Sequence, residues 1–101
     1  MNAYTSTAYA AGYATGGQVI DIEKARLRRQ LMDRANRLSD RERAVLGELA
    51  QGHATEDIAG SLFLSPHTVR SHVKAAMRKL DARTRAHAVA IALTAGTIDA
   101  I

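Results

Sequence analysis

The stretch IAGSLFLSPHTVRSHVKAAMRKL, residues 58–80, decides the fold that the sequence predicts. Ser65 followed by Pro66 marks the start of a helix, because a serine hydroxyl can cap the first turn. Proline also lacks the amide that would go unpaired at that position. The apolar spacing that follows predicts a helix over about 65–80.

A shorter helix is predicted just before it, from about Thr55 to Leu62, and a tight turn joins the two. Ala59 is the small residue needed where two such helices cross closely. Val69 follows ten residues later, where the second helix needs a β-branched residue. The spacing therefore predicts a helix-turn-helix, although Phe63 occupies the turn position where glycine is often found.

The helix over 65–80 is predicted to have two unlike faces. The apolar face is made of Val69, Val73, Ala76, Met77 and Leu80. The opposite, polar side carries bases and short polar groups and no acid. Such a helix fits the major groove of DNA, where Arg and Lys can donate to guanine. The residues that we predict to contact DNA are His67, Thr68, Arg70, Ser71, Lys74 and Arg78.

The charge distribution points in the same direction. The 101 residues hold 14 bases and 10 acids, for a formal net charge of +4. Residues 1–65 are balanced, so the whole excess lies in residues 66–101. A concentrated basic stretch is the footprint of a polyanion-binding surface. Charge alone fits a solvated helix face equally well.

The rest of the chain divides into an arm and further helices. Residues 1–18 are uncharged and have no apolar period, so we predict a flexible arm. Residues 19–37 have the pattern of an amphipathic basic helix. Its thin apolar stripe comprises Ile20, Leu27, Leu31, Ala35 and Leu38, and we expect it to pack on the rest of the domain or on a second copy of itself. Ser39 and Glu42 form a capping box that opens the next helix, and Gly52 is predicted to close it.

The last helix, predicted at about 84–95 with Thr84 as its cap, is apolar almost all round. One stripe comprises Ala86, Val89, Ala90 and Leu93. The other comprises Ala88, Ile91, Ala92 and Ala95. A helix of this kind needs burial on two sides. We predict that the second stripe pairs two subunits in a homodimer; the alternative is that both stripes face one intramolecular core.

Several function classes are excluded or disfavoured. The chain has no cysteine, so disulfides and thiolate sites are excluded. No apolar run approaches the ~18 residues that span a membrane. The histidines lack metal-ligand spacing and no phosphate-binding loop is present. We therefore expect no metal, no cofactor, no enzyme activity and no membrane association, and a cytoplasmic, nucleoid-associated protein.

The sequence from Leu38 to Ile98 closely resembles the LuxR-type DNA-binding domain, also called the GerE or NarL type. The resemblance rests on LSDRE at the first helix, AQG at its end, IA in the second, SPHTVRSHVKAAMRKL in the third and ARTRAHAVAIAL in the fourth. It implies a four-helix domain of bacterial transcription regulators that pairs through its fourth helix. By position, it implies DNA contacts at Thr68, Arg70, Ser71 and Lys74, with Arg78 near the backbone. Asp81 and Gly60 depart from the family pattern, and the usual sensing domain is not present, so we expect a stand-alone regulator.

The sequence thus predicts an all-α fold: an arm at 1–18, an extra helix at 19–37 and a helix-turn-helix domain at 38–101. The predicted function is sequence-specific DNA binding as a dimeric transcription regulator. Two alternatives stay open. One is a sigma region 4-like module that acts only within RNA polymerase, and the other is a protein-interaction module that acts through another regulator.

Overall fold

The computed structural model describes residues 21–99, and within that range it contains five helices and no strand. The helices are α1 (Ile22–Ala35), α2 (Asp40–Ala50), α3 (Thr55–Leu62), α4 (Pro66–Leu80) and α5 (Arg85–Thr94). The predicted all-α fold is confirmed, and α3 and α4 form the helix-turn-helix. The arm predicted at residues 1–18 lies outside the described residues.

The helix starts follow the capping chemistry that the sequence indicates. Ser39 Oγ accepts from the Glu42 amide at 3.0 Å, and Glu42 Oε1 accepts from the Ser39 amide at 2.8 Å, which completes the capping box. Ser65 caps α4 with Pro66 in its first turn, and Thr84 caps α5. These bonds satisfy amides that have no partner inside the helix, so local sequence sets the starts of α2, α4 and α5.

Two apolar clusters hold the helices together. The first joins α2, α3 and α4 through Val45, Ile58, Ala59, Val69 and Val73, all buried. Ala59 is the predicted small residue at the crossing of α3 and α4, and Val69 packs beside it. The second joins α1, α2, α4 and α5. Its buried members are Ala35, Leu38, Leu46, Ala76, Leu80, Ala88, Ile91, Ala92 and Ile98. The inner side of α4 contributes to both clusters, so its outer face has a fixed direction.

The N-terminal helix packs on its own domain only near its C-terminal end. Ala35 and Leu38 are buried in the second cluster and Leu31 packs against it. Leu27 was predicted to continue this stripe, yet it is 53% exposed. There α1 extends past the second cluster, so nothing within residues 21–99 covers the side chain. Packing of this part of the stripe on a second copy of the chain stays a prediction. Ile20, the first residue of the predicted stripe, lies outside the described residues.

Two turns use the left-handed backbone region without glycine. Phe63 at the α3–α4 turn has φ 58°, and Asp81 after α4 has φ 54°. Asp tolerates this region better than most residues with a Cβ, which explains how α4 ends without the usual glycine. Phe63 is the one phenylalanine of the chain, and large aromatic residues are usually well buried. It is instead 93% exposed, because the left-handed turn directs it away from both clusters.

A partly buried ion pair links the start of α2 to the end of α4. Lys79 Nζ donates to Glu42 Oε1 at 2.8 Å, and Glu42 is only 5% exposed. Burial raises the pKa of the Glu42 carboxyl. Hydrogen bonds from Lys79 and the Ser39 amide, with the Lys79 charge, outweigh burial and hold that pKa below its ordinary 4.5. The pair therefore favours the ionised carboxylate in the folded state.

Glu42→Gln is expected to lower the free energy of unfolding at neutral pH by about 1–2 kcal/mol. The amide keeps the shape but loses the ion pair, and Lys79 can turn to water. Since the folded-state pKa of Glu42 is below its unfolded value, its stabilisation is present above the unfolded pKa. It is lost as the pH falls through the folded pKa. Denaturant unfolding of both proteins between about pH 7 and pH 3 checks this. If the difference in unfolding free energy between wild type and Glu42→Gln did not become smaller in acid, the prediction would be contradicted.

Candidate nucleic-acid interface

The predicted recognition face lies on the outer side of α4. His67, Arg70, Ser71, Lys74 and Arg78 are exposed, and Thr68 is half-buried at the start of the helix. The buried Val69, Val73, Ala76 and Leu80 occupy the opposite side. All six predicted contact residues therefore share one outward surface, which we call the recognition face.

The first turn of α4 holds its hydroxyl groups in a defined arrangement. Ser65 Oγ accepts from the Thr68 amide at 3.0 Å and donates to Thr68 Oγ1 at 2.9 Å. With one lone pair of Thr68 occupied, its own hydroxyl hydrogen is free to donate to another acceptor. A phosphate oxygen is such an acceptor, and the positive end of the helix dipole favours an anion at this end.

The charge available to a polyanion is smaller than the sequence count suggests. Lys79 is one of the six bases in residues 66–101, but it pairs with Glu42 on the side of α4 that faces α2. The recognition face keeps Arg70, Lys74 and Arg78. Between Ser65 and Leu80 there is no acid, so nothing on the helix itself offsets these three bases.

A basic residue outside the recognition helix also faces this surface, and the sequence-based prediction missed it. Arg85, the first residue of α5, lines a shallow cleft of about 250 Å³ together with Arg70, Val73, Lys74 and Met77. Its Nη2 donates to Thr55 Oγ1 at 3.1 Å, so the start of α5 is tied to the start of α3. Arg85 was counted among the bases, but no spacing rule relates it to a face of another helix.

The predicted pairing stripe on α5 requires a correction. Ala88, Ile91 and Ala92 are buried in the second cluster of their own subunit, and Ala95 packs against that cluster. Ala88 and Ala92 have no accessible surface and Ile91 is 5% exposed, so the prediction that these three pair two subunits was wrong. Ala95 is half-buried, and its part in pairing stays a prediction. The outward side of α5 is the other stripe. It comprises Ala86, Val89, Ala90 and Leu93, of which Val89 is half-buried and the others are exposed.

Other kinds of site find little support in the described part of the chain. Residues 21–99 contain no group of three His, Cys, Asp or Glu side chains placed to hold a metal ion. Over the same residues, no helix combines the length and apolar character needed to cross a membrane. The recognition face and the basic cleft beside it are therefore the site on which a functional proposal rests.

Comparison with known proteins agrees with this geometry. The family model described as "Bacterial regulatory proteins, luxR family" matches residues 36–92. This match covers α2, α3 and α4 and most of α5, and thus the whole helix-turn-helix. It includes the recognition face and Arg85, whereas the whole of α1 lies before it.

Three curated relatives illustrate the similarity. The spore germination protein GerE of Bacillus subtilis is 42% identical over 62 residues, which are 61% of this chain and 84% of that protein. The quorum sensing-dependent regulator RpaR of Rhodopseudomonas palustris is 46% identical over 65 residues, 64% of this chain but 27% of its own length. The probable regulatory protein NarL of Mycobacterium tuberculosis is 42% identical over 62 residues, 61% of this chain and 29% of its own. The chain thus matches most of GerE and less than a third of the other two.

Proposed function

Because the chain belongs to the luxR family of bacterial regulatory proteins, whose helix-turn-helix domains bind DNA and regulate transcription, we propose that it recognises a specific duplex sequence as a homodimer. The observation that supports this most is the exposed, acid-free recognition face of α4, whose opposite side is fixed by both apolar clusters. A rigid helix with such a face can enter the major groove. A regulator of this kind acts in the cytoplasm, on the nucleoid.

Each residue of the recognition face has a distinct role in this proposal. Arg70 and Lys74 donate to guanine O6 and N7, and Ser71 between them is short enough to permit close approach. Thr68 donates to a phosphate, and Arg78 contacts the backbone further along the groove. His67, at the start of the helix, faces the edge of the same groove. Base contacts then provide specificity, while phosphate contacts provide most of the affinity and its salt dependence.

Pairing is proposed through the outward stripe of α5. Its three most accessible residues are Ala86, Ala90 and Leu93. Small side chains allow two α5 helices to approach closely about a two-fold axis. Two recognition helices would then enter successive major grooves roughly 34 Å apart, so the preferred DNA site should be palindromic.

Selection of bound sites from random duplex DNA, followed by mass measurement of the complex, tests the proposed function. We expect an enriched palindrome and a mass of two subunits per duplex. Enrichment that occurs only when RNA polymerase is present would instead favour the sigma-like alternative. Failure to enrich any sequence at low salt, with or without the polymerase, would overturn DNA recognition.

Ala90→Glu is expected to weaken binding to the selected palindrome by roughly tenfold or more, because it places like charges in a close helix pair. Ala90 is exposed in the subunit, so the fold should be retained. Sedimentation of the free protein and its complex measures the assembly. Gln51→Glu, an equal charge change at the exposed end of α2, is the control. A dimeric Ala90→Glu complex with unchanged affinity would place the pairing surface elsewhere.

A further inference from the structure

The cleft between α4 and α5 combines an apolar floor with a cationic rim. Val73 and Met77 form the floor, while Arg70, Lys74 and Arg85 supply three positive charges around it. Two of these bases, Arg70 and Lys74, also belong to the recognition face. The cleft is thus continuous with that face and extends it sideways, from α4 to the first turn of α5.

A hydrogen bond to α3 restrains Arg85 at this edge. Its Nη2 donates to Thr55 Oγ1 at 3.1 Å, which restrains a long side chain that would otherwise sample many rotamers. A guanidinium has five N–H donors in a planar fork. The bond to Thr55 uses one of these donors. Within residues 21–99 the Arg85 side chain makes no other hydrogen bond, so its remaining donors are available to a ligand. The positive charge of the guanidinium is accordingly not neutralised by an ion pair there.

A DNA strand matches both parts of this cleft. A phosphate accepts two parallel N–H bonds from a guanidinium, and the adjoining deoxyribose presents apolar C–H groups to a floor such as Val73 and Met77. We propose that the cleft is a sugar-phosphate site and that Arg85 is its phosphate clamp, with Thr55 as a positioning residue. This inference rests on the proposed function, since the strand reaches the cleft only when α4 occupies the adjacent groove.

The role proposed for Arg85 differs from that of Arg70 and Lys74, the basic residues proposed to read the DNA sequence. A phosphate contact contributes equally on every duplex, and it releases counterions when it forms. Arg85→Ala should therefore weaken binding by on the order of tenfold on both selected and scrambled duplexes. It should also reduce the slope of log K against log salt by about 0.9 per subunit bound.

The experiment compares four variants by fluorescence anisotropy on a scrambled duplex and on the selected one, over a range of salt. Arg85→Lys keeps the charge but lacks the planar fork, and Thr55→Val removes the acceptor that positions Arg85. We expect each of these two variants to bind more weakly than wild type but more tightly than Arg85→Ala. Arg83→Ala is the matched control, because it removes the same charge from an exposed position two residues earlier, outside the cleft lining.

Each outcome decides one question. A wild-type protein that binds neither duplex would overturn the proposed function itself. A wild-type protein that binds, with Arg85→Ala no weaker than Arg83→Ala, would overturn the clamp and leave the proposed function intact. A loss confined to the selected duplex would also overturn it, because Arg85 would then read bases. Thermal unfolding of every variant establishes that the affinities compare folded proteins.

Discussion

Replacement of Lys74 by alanine is expected to weaken binding to the selected duplex by ~1–3 kcal/mol, a loss that reaches about a hundredfold at the upper end. Lys74 lies on the exposed side of α4, opposite the buried Ala76 and Leu80. Its ammonium group is therefore free to donate to a guanine edge once the helix enters the groove. Titration of the labelled duplex by anisotropy at fixed salt measures the change.

Whether Lys74→Ala loses affinity for the selected duplex alone or for every duplex is as informative as the size of the loss. On a scrambled duplex Lys74→Ala should cost much less, because only the general attraction of one charge is removed. Lys24→Ala provides the control, since Lys24 is an exposed lysine on α1 and outside the recognition face. Equal affinities of wild type and Lys74→Ala for the selected duplex would contradict the assigned face.

Where local chemistry sets a structural feature, the sequence was sufficient to predict it. The capping box at Ser39 and Glu42 opens α2 as expected, and Ser65 with Pro66 opens α4. Gly52 takes φ +86° after α2, the conformation that its position predicted. These features depend on residues within four positions of each other, so no knowledge of the remaining fold is required.

Features that depend on two distant elements were the ones that sequence could not predict. Lys79 and Arg85 are both bases in the same basic segment, yet one faces Glu42 of α2 and the other faces Thr55 of α3. Helical periodicity gives the direction in which a side chain points from its helix axis, but it does not show which other helix packs on that side. The outward direction of the recognition face could be predicted because it depends on α4 alone: no other helix within residues 21–99 covers these residues.

The α5 stripes illustrate the same limit. Both stripes are apolar, so periodicity could not decide which of them faces the subunit interior. The structure turns Ala88 and Ala92 inward, where their small size lets α5 pack closely against the rest of the second cluster. Burial of these alanines leaves Ala90 and Leu93 outside. The orientation depends on which side of α5 the other helices cover, and helical periodicity does not carry that information.

Leu80→Ala is expected to lower the free energy of unfolding by about 2–5 kcal/mol, the range for removing a fully buried leucine and leaving a cavity. Leu80 is 0% exposed in the second cluster, where α4 meets α1, α2 and α5. A small domain has little stability in reserve, so the variant should be partly unfolded near physiological temperature. Its affinity for every duplex should then fall in proportion to its folded fraction.

Denaturant unfolding monitored by circular dichroism measures this change, and Leu27→Ala on α1 is the matched control. The two substitutions remove the same atoms, but Leu27 is 53% exposed and leaves no cavity, so its cost should stay below about 1 kcal/mol. Similar losses for the two variants would mean that Leu27 is covered in solution. Because Leu80 terminates α4, its loss should also loosen the last turn that presents Arg78, while Ser65 still holds the first. Affinity lost at low temperature, where Leu80→Ala remains folded, would therefore report the position of Arg78 rather than the stability of the domain.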